Sequence, residues 1–283
     1  MTSQIKAAAN PLREIFGIPE GQGLSEADTA ALRAESPALP YVILFTARSG
    51  STFLTHELYN TNKFGNPHEW FNPDTVRDVS RRRDAKNIMS YFSTVWKLNT
   101  SSNGVFGIEI NWYQMSNIID ILNIQHCFRN QIVWFFLRRR NIVSQAISLF
   151  IADFTKIFHS YQIDREINPP HEPEYDANKI KNNILMFLNE EISSVDYFRN
   201  NCIYPIQLFY EDMVQDSKGT LGTFCNTLRV DRSVVSNEFP NPIKKIGNQL
   251  NQNFEERFRH EEAIFLGEIG PQRPLLTHEL SVI

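Results

Sequence analysis

The chain has 283 residues, 42% of them hydrophobic and 21% charged, the make-up of a globular protein with one large α/β domain or two small ones. With 28 basic against 32 acidic residues and a formal net charge of −4, it lacks the basic excess that general nucleic-acid binding requires. No apolar run approaches the roughly 18 residues that span a membrane, and no basic segment followed by an apolar stretch opens the chain, so a cytoplasmic protein is expected. Cys127, Cys202 and Cys225 are few, odd in number and widely spaced, which suits reduced, buried thiols rather than a disulfide framework.

Residues 1–39 carry Pro11, Pro19 and Pro37 and form an N-terminal extension, with Ser25 as the N-cap of a short helix through Ala34. The main domain, residues 40–264, opens on Tyr41-Val-Ile-Leu-Phe-Thr-Ala-Arg-Ser-Gly-Ser-Thr-Phe-Leu54. Its apolar start reads as a buried strand over 41–46, followed by a tight turn and a helix over 52–60. Gly50 suits a left-handed turn, Ser49, Ser51 and Thr52 are helix-capping residues, and Arg48 adds a fixed positive charge. Such a strand–loop–helix unit is a P-loop-like cradle for phosphate. It is no Walker A loop, because it has a single glycine and no lysine before Ser51 or Thr52. An ordinary βα turn would show the same Ser-Gly-Ser-Thr.

Turn formers crowd residues 61–75, and Phe64-Gly-Asn-Pro-His-Glu-Trp-Phe-Asn-Pro73 sets His68 and Glu69 beside Trp70 and Phe71. A carboxylate among aromatics suits a general base, although the same residues would serve a capped turn on a core. Arg81, Arg82 and Arg83 read as a solvated helix face. A strand over 105–110, a helix over 113–123 and a strand over 132–138 follow. Arg138, Arg139 and Arg140 close that last strand, and the next helix, 142–153, places Ser144 and Ser148 on one face. In open α/β sheets ligands gather at the C-terminal strand ends, so both basic turns can open on one crevice. Taken alone, the arginines equally describe a solvated strand end.

Asn168-Pro-Pro-His-Glu-Pro173 marks a long loop. An amphipathic helix is expected over 177–200, then a strand over 203–210, with Glu211 and Asp212 capping the helix after it. Residues 265–283, with Gly267, Gly270, Pro271 and Pro274, read as an irregular tail.

Arg-Ser-Gly-Ser-Thr52, Gly-Asn-Pro-His-Glu-Trp-Phe71, Gly104-Val-Phe-Gly107, Arg-Arg-Arg-Asn-Ile-Val-Ser-Gln-Ala-Ile-Ser148 and Phe254-Glu-Glu-Arg-Phe258, in this order, resemble the bacterial trehalose 2-sulfotransferase family over roughly residues 40–262. The resemblance implies an α/β, three-layer fold with a central, mostly parallel sheet. It implies sulfuryl transfer from 3′-phosphoadenosine 5′-phosphosulfate (PAPS), without a metal, to a hydroxyl of a carbohydrate or other small acceptor. Carried over, Arg48, Ser49, Gly50, Ser51 and Thr52 hold the 5′-phosphosulfate, with Arg48 also stabilising the departing oxygen. Arg139 or Arg140, with Ser148, holds the 3′-phosphate. Glu69 matches the catalytic carboxylate, with His68 as its rival, and a homodimer is compatible with the family.

Two positions depart from the pattern. The family often has Arg-Pro-Asp where this chain has Arg139-Arg140-Asn141, and usually a lysine where this chain has Glu109. The competing readings are a nucleotide-binding phosphotransferase and a non-catalytic protein that retains the donor pocket.

Overall fold

The structure is a computed structural model that describes residues 9–158, 172–236, 243 and 247–273. It is an α/β fold with a central sheet in the strand order β2-β1-β3-β4, flanked by helices. The strands are β1 (Leu39–Phe45), β2 (Val105–Asn111), β3 (Val133–Arg138) and β4 (Ile206–Phe209). β3 and β4 run parallel, with Phe135 opposite Ile206 and Arg138 opposite Phe209. Two compact units divide the chain, Met1–Val42 with Asn62–Val133, and Ile43–Thr61 with Trp134–Ile283.

In the first unit, α1 (Pro11–Phe16) and α2 (Glu26–Glu35) come from the N-terminal extension, and Ser25 with Asp28 closes a capping box on α2. Arg13, 5% exposed, ties the extension down through Asp120 at 2.6 Å and the carbonyls of Pro19, Gln22 and Asp120. Helices α4 (Pro73–Arg83) and α5 (Ile88–Asn99) occupy a stretch in which the turn-rich residues and the arginine run had suggested only a solvated helix face. Both have readable starts, Asn72-Pro73 for α4 and the Asn87/Ser90 capping box for α5. Arg81 and Arg82 lie exposed on α4 and pair with Asp78. The buried face of α5 builds an aromatic ladder, Phe71 to Phe92 to Trp96 to Phe128, with ring centroids 5.2–5.4 Å apart. β2 then leads into α6 (Trp112–Ile119), which stops earlier than expected and gives way to a 3₁₀ turn over Ile124–Cys127. Gly107 is required in β2, because a Cβ there would stand 2.4 Å from the Tyr41 ring.

In the second unit, α3 (Ser51–Asn60) follows β1, and α7 (Ile142–Thr155) follows β3. α8 (Ala177–Asn200) has the predicted span and the predicted apolar face. Ile180, Ile184, Phe187 and Leu188 of α8 pack with Val143, Ile147 and Phe150 of α7, and Phe254 and Phe258 of α11 (Gln249–Glu261) complete that cluster. The Phe254-to-Phe258 motif is therefore a packing device that seats α11 on α7. β4 is shorter than the expected 203–210 and passes into α9 (Tyr210–Gln215) and α10 (Ser217–Leu228).

Three expectations are corrected. Residues Ala263–Ile269 form a helix, α12, where Gly267 and Gly270 had suggested irregular chain from 265. Cys202 is exposed at a left-handed position after α8, whereas Cys127 and Cys225 are buried; all three are free thiols. Glu211 and Asp212 do not cap their own helix, because α9 has no side-chain cap and both carboxylates bond to the β3–α7 turn instead. The loop expected over Asn168–Pro173 lies, through residue 171, outside the described residues. Among the described residues no helix is long and apolar enough to cross a membrane.

Candidate active site

The loop after β1 turns on two left-handed residues, Arg48 at φ 64° and Gly50 at φ 83°. The Arg48 guanidinium is held at two points. Its Nε donates to Ser148 Oγ at 3.1 Å and its Nη1 to the Phe158 carbonyl at 2.5 Å. The two basic segments read separately from the sequence thus share a hydrogen bond. Gly50, not a serine, is the N-cap of α3, and among the described residues no side-chain hydrogen bond caps this N-terminus. The expected capping role of Ser49, Ser51 and Thr52 is therefore corrected. Ser49 is fully buried with its hydroxyl unpartnered among the described residues, Ser51 is buried and Thr52 half-buried. An uncapped helix start with a positive dipole end and a buried hydroxyl beside it would suit an anion.

Gly50 is enforced twice, by its φ and by space. A Cβ on it would lie 2.7 Å from Tyr210 Cδ2 and 2.8 Å from Met213 Cε. Gly50→Ala should lower stability by about 1–3 kcal/mol through left-handed strain and overpacking. Urea unfolding checks this, and an unchanged midpoint would refute the steric argument.

The loop is braced from below. Gln145 of α7, fully buried, donates to Thr46 Oγ1 at 2.9 Å and to the Ala47 carbonyl at 2.6 Å. Gln145 is a site residue that sequence reasoning missed; its only signal was its place between Ser144 and Ser148.

The three arginines after β3 take three different roles. Arg138 is buried between the Phe136 and Phe209 rings and bonds Gln207 at 2.7 Å; its pKa is pushed down to about 10 by burial, against the pull of Glu191. Arg140 is exposed and committed to Asp212 through two bonds of 2.5 and 2.7 Å, which raise its pKa. Arg139 lies half-buried over the Tyr210 ring at 4.6 Å and donates to Ser144 Oγ at 2.6 Å, with its Nε buried and unpartnered among the described residues. Burial lowers the pKa of both Arg48 and Arg139, and repulsion from Arg139 lowers that of Arg48 further. Two half-desolvated guanidiniums near enough to repel each other, one bonded to the Ser148 hydroxyl and one to that of Ser144, would be stabilised by a polyanion.

The N-terminus of α7 is closed by comparison. Asn141 caps it, and Glu211 accepts from the backbone N–H groups of Arg140 and Asn141 at 2.9 and 3.1 Å. Asn141 also donates to Glu255 of α11 at 2.8 Å, and Arg259 reaches both Asn141 and Glu255. Burial opposes the Glu255 charge, yet the bonds from Asn141 and Arg259 hold its pKa below the usual range.

In the other unit, the His68–Trp70 turn lies along β2, where His68 bridges Ile108 and its carbonyl accepts from the Glu109 N–H at 3.0 Å. Glu69 is half-buried, and its Oε2 accepts from the amides of Gln114 and Asn72. Gln114 is 1% exposed and set by the Asn111 cap of α6, so the Glu69 carboxylate is held rather than waving in solvent. The His68 ring is exposed and meets the edge of Trp70 at 5.0 Å; crowding by the protein lowers its pKa, against the pull of Glu69. Trp70 and Phe71 are core, while Tyr113 is 54% exposed. Glu109 is 4% exposed and helps, after burial itself, to raise the pKa of Tyr41. Among the described residues no group of three His, Cys, Asp or Glu side chains could hold a metal ion.

The Stf0 sulphotransferase family model matches residues 40–261. The chain belongs to this family. Two curated relatives of this Stf0 sulphotransferase carry the same name, trehalose 2-sulfotransferase. The protein from Mycolicibacterium smegmatis is 22% identical over 261 residues, covering 78% of this chain and 94% of the relative. The one from Mycobacterium tuberculosis is 23% identical over 262 residues, covering 78% and 95%. Among solved structures, the sulfotransferase domain of the Synechococcus PCC 7002 olefin synthase aligns over 79% of this chain and 95% of its own at 15% identity, with a TM-score of 0.38.

Proposed function

We propose that this Stf0 sulphotransferase transfers a sulfuryl group from PAPS to a hydroxyl of a small acceptor, with a carbohydrate as the acceptor class. The observation that carries the reading is the bond from Arg48 to Ser148 beside Arg139, which gathers both predicted phosphate-binding segments into one cluster at the open start of α3. When bound, PAPS supplies the sulfuryl group. Arg48, Ser49, Gly50, Ser51 and Thr52 would hold its 5′-phosphosulfate, the backbone at the helix start and the Arg48 guanidinium meeting the charge that builds on the departing oxygen. Arg139 with Ser148 would hold the 3′-phosphate. Arg139 is favoured over Arg140 because Asp212 already neutralises Arg140, whereas Arg139 keeps an idle Nε donor. Glu69, held by Gln114 and Asn72, would take the acceptor proton, as the family resemblance implies.

Titration calorimetry with the desulfated product, 3′-phosphoadenosine 5′-phosphate, tests the donor assignment. A Kd on the order of 1 μM, about −8 kcal/mol, is expected for it and no binding for magnesium ATP. No heat from a folded sample would end this reading.

A further inference from the structure

Arg273 lies beyond residue 261, where the family match ends, yet it reaches the turn that presents Arg139. Its Nη2 donates to the Arg139 carbonyl at 2.7 Å and its Nη1 to the Arg140 carbonyl at 2.5 Å. The same guanidinium grips Glu191 of α8, through Nη2 to Oε1 at 2.6 Å and Nε to Oε2 at 3.1 Å. Glu191 is wholly buried, and its other cation, Arg138, stands 4.0 Å away. A buried carboxylate needs a close, hydrogen-bonded cation, so Glu191 fixes Arg273 as firmly as Arg273 neutralises Glu191. The planar fork of an arginine meets the carboxylate and the two carbonyls at once.

The consequence falls on Arg139. Its side chain leaves a turn whose N–H groups at Arg140 and Asn141 are held by Glu211 and whose carbonyls at Arg139 and Arg140 are held by Arg273. With both edges of the turn pinned, the Arg139 guanidinium is aimed before any ligand arrives, and the ordering cost of binding falls. We propose that Arg273 is a positioning residue for the donor site, a C-terminal latch through which Arg139 is preset to receive a phosphate. The latch rests on the donor reading above for its ligand, but its own geometry lies entirely within the second unit.

The test measures affinity for 3′-phosphoadenosine 5′-phosphate in Arg273→Gln, Arg273→Lys and, as a control, Lys181→Gln. The control removes the 2.6 Å Lys181–Glu262 pair at the other end of α8 without touching the turn. Arg273→Gln should weaken binding by at least about tenfold, roughly 1.4 kcal/mol, with Arg273→Lys recovering part of it and the control unchanged. Unchanged affinity in Arg273→Gln, or an equal loss in the control, would overturn the latch. Should Arg273→Gln not fold, Arg273→Lys carries the same comparison, and wild-type affinity in it overturns the latch. If the wild-type protein does not bind the probe, the donor reading fails and the latch is judged by amide exchange over residues 139–144. Faster exchange there in the Arg273 variants, with Lys181→Gln unchanged, upholds it; identical exchange removes it.

Discussion

Glu69→Gln is expected to reduce sulfuryl transfer by about 10²–10⁴-fold while 3′-phosphoadenosine 5′-phosphate binds as before. The substitution keeps the shape of the side chain and the bonds from Gln114 and Asn72 can be re-formed in part, so the fold is preserved and the loss reports on the proton acceptor. A parallel His68→Ala variant separates the rivals. If His68→Ala loses transfer and Glu69→Gln retains it, the imidazole is the base and the assignment made from the family pattern falls. The His68 pKa is lowered, first by the protein crowding water from the imidazole, so a histidine base would stay neutral to lower pH than usual, and the acid limb of the rate profile would move down with it.

The second large effect belongs to Arg48. Arg48→Ala should weaken binding of the desulfated donor by about a hundredfold, near 3 kcal/mol, the scale of one or two charge-assisted hydrogen bonds. Alanine is the fair substitute, because it meets the same left-handed strain at φ 64° that arginine does, whereas glycine would relieve it. Arg48→Lys should rescue little, since an ammonium cannot span Ser148 Oγ and the Phe158 carbonyl in the geometry of the fork. Calorimetry decides both, and wild-type affinity in Arg48→Ala would remove Arg48 from the donor site.

The elements around the cradle were legible because local pattern and tertiary role agree there. The apolar run at 41–45 is a strand, Gly50 marks the turn, and Ser144 and Ser148 sit on one face of α7, each meeting an arginine. α8 was legible to the residue, since its apolar period runs unbroken between the Asp176 cap and Asn201. Helices α4 and α5 were obscured by the turn formers before them, although their asparagine caps were in plain view. Partners distant in sequence were not legible. Glu211 reads locally as a helix cap, but parallel pairing of β3 with β4 brings the two strand ends together and turns the carboxylate onto the neighbouring turn. Gln114 for Glu69, and Arg273 for the turn at 139–140, are separated from their targets by 45 and more than 130 residues, beyond any periodicity argument.

The contrast between two helix starts in the second unit has a directional meaning. α3 begins on Gly50 with no side-chain capping bond among the described residues, while α7 begins behind Asn141 and the Glu211 carboxylate. The first offers peptide N–H groups to any small anion; the second repels one from its axis and leaves recognition to the guanidinium beside it. On the donor reading proposed above, the two phosphate groups of the nucleotide would meet two unlike sockets, one made of backbone and one made of side chain.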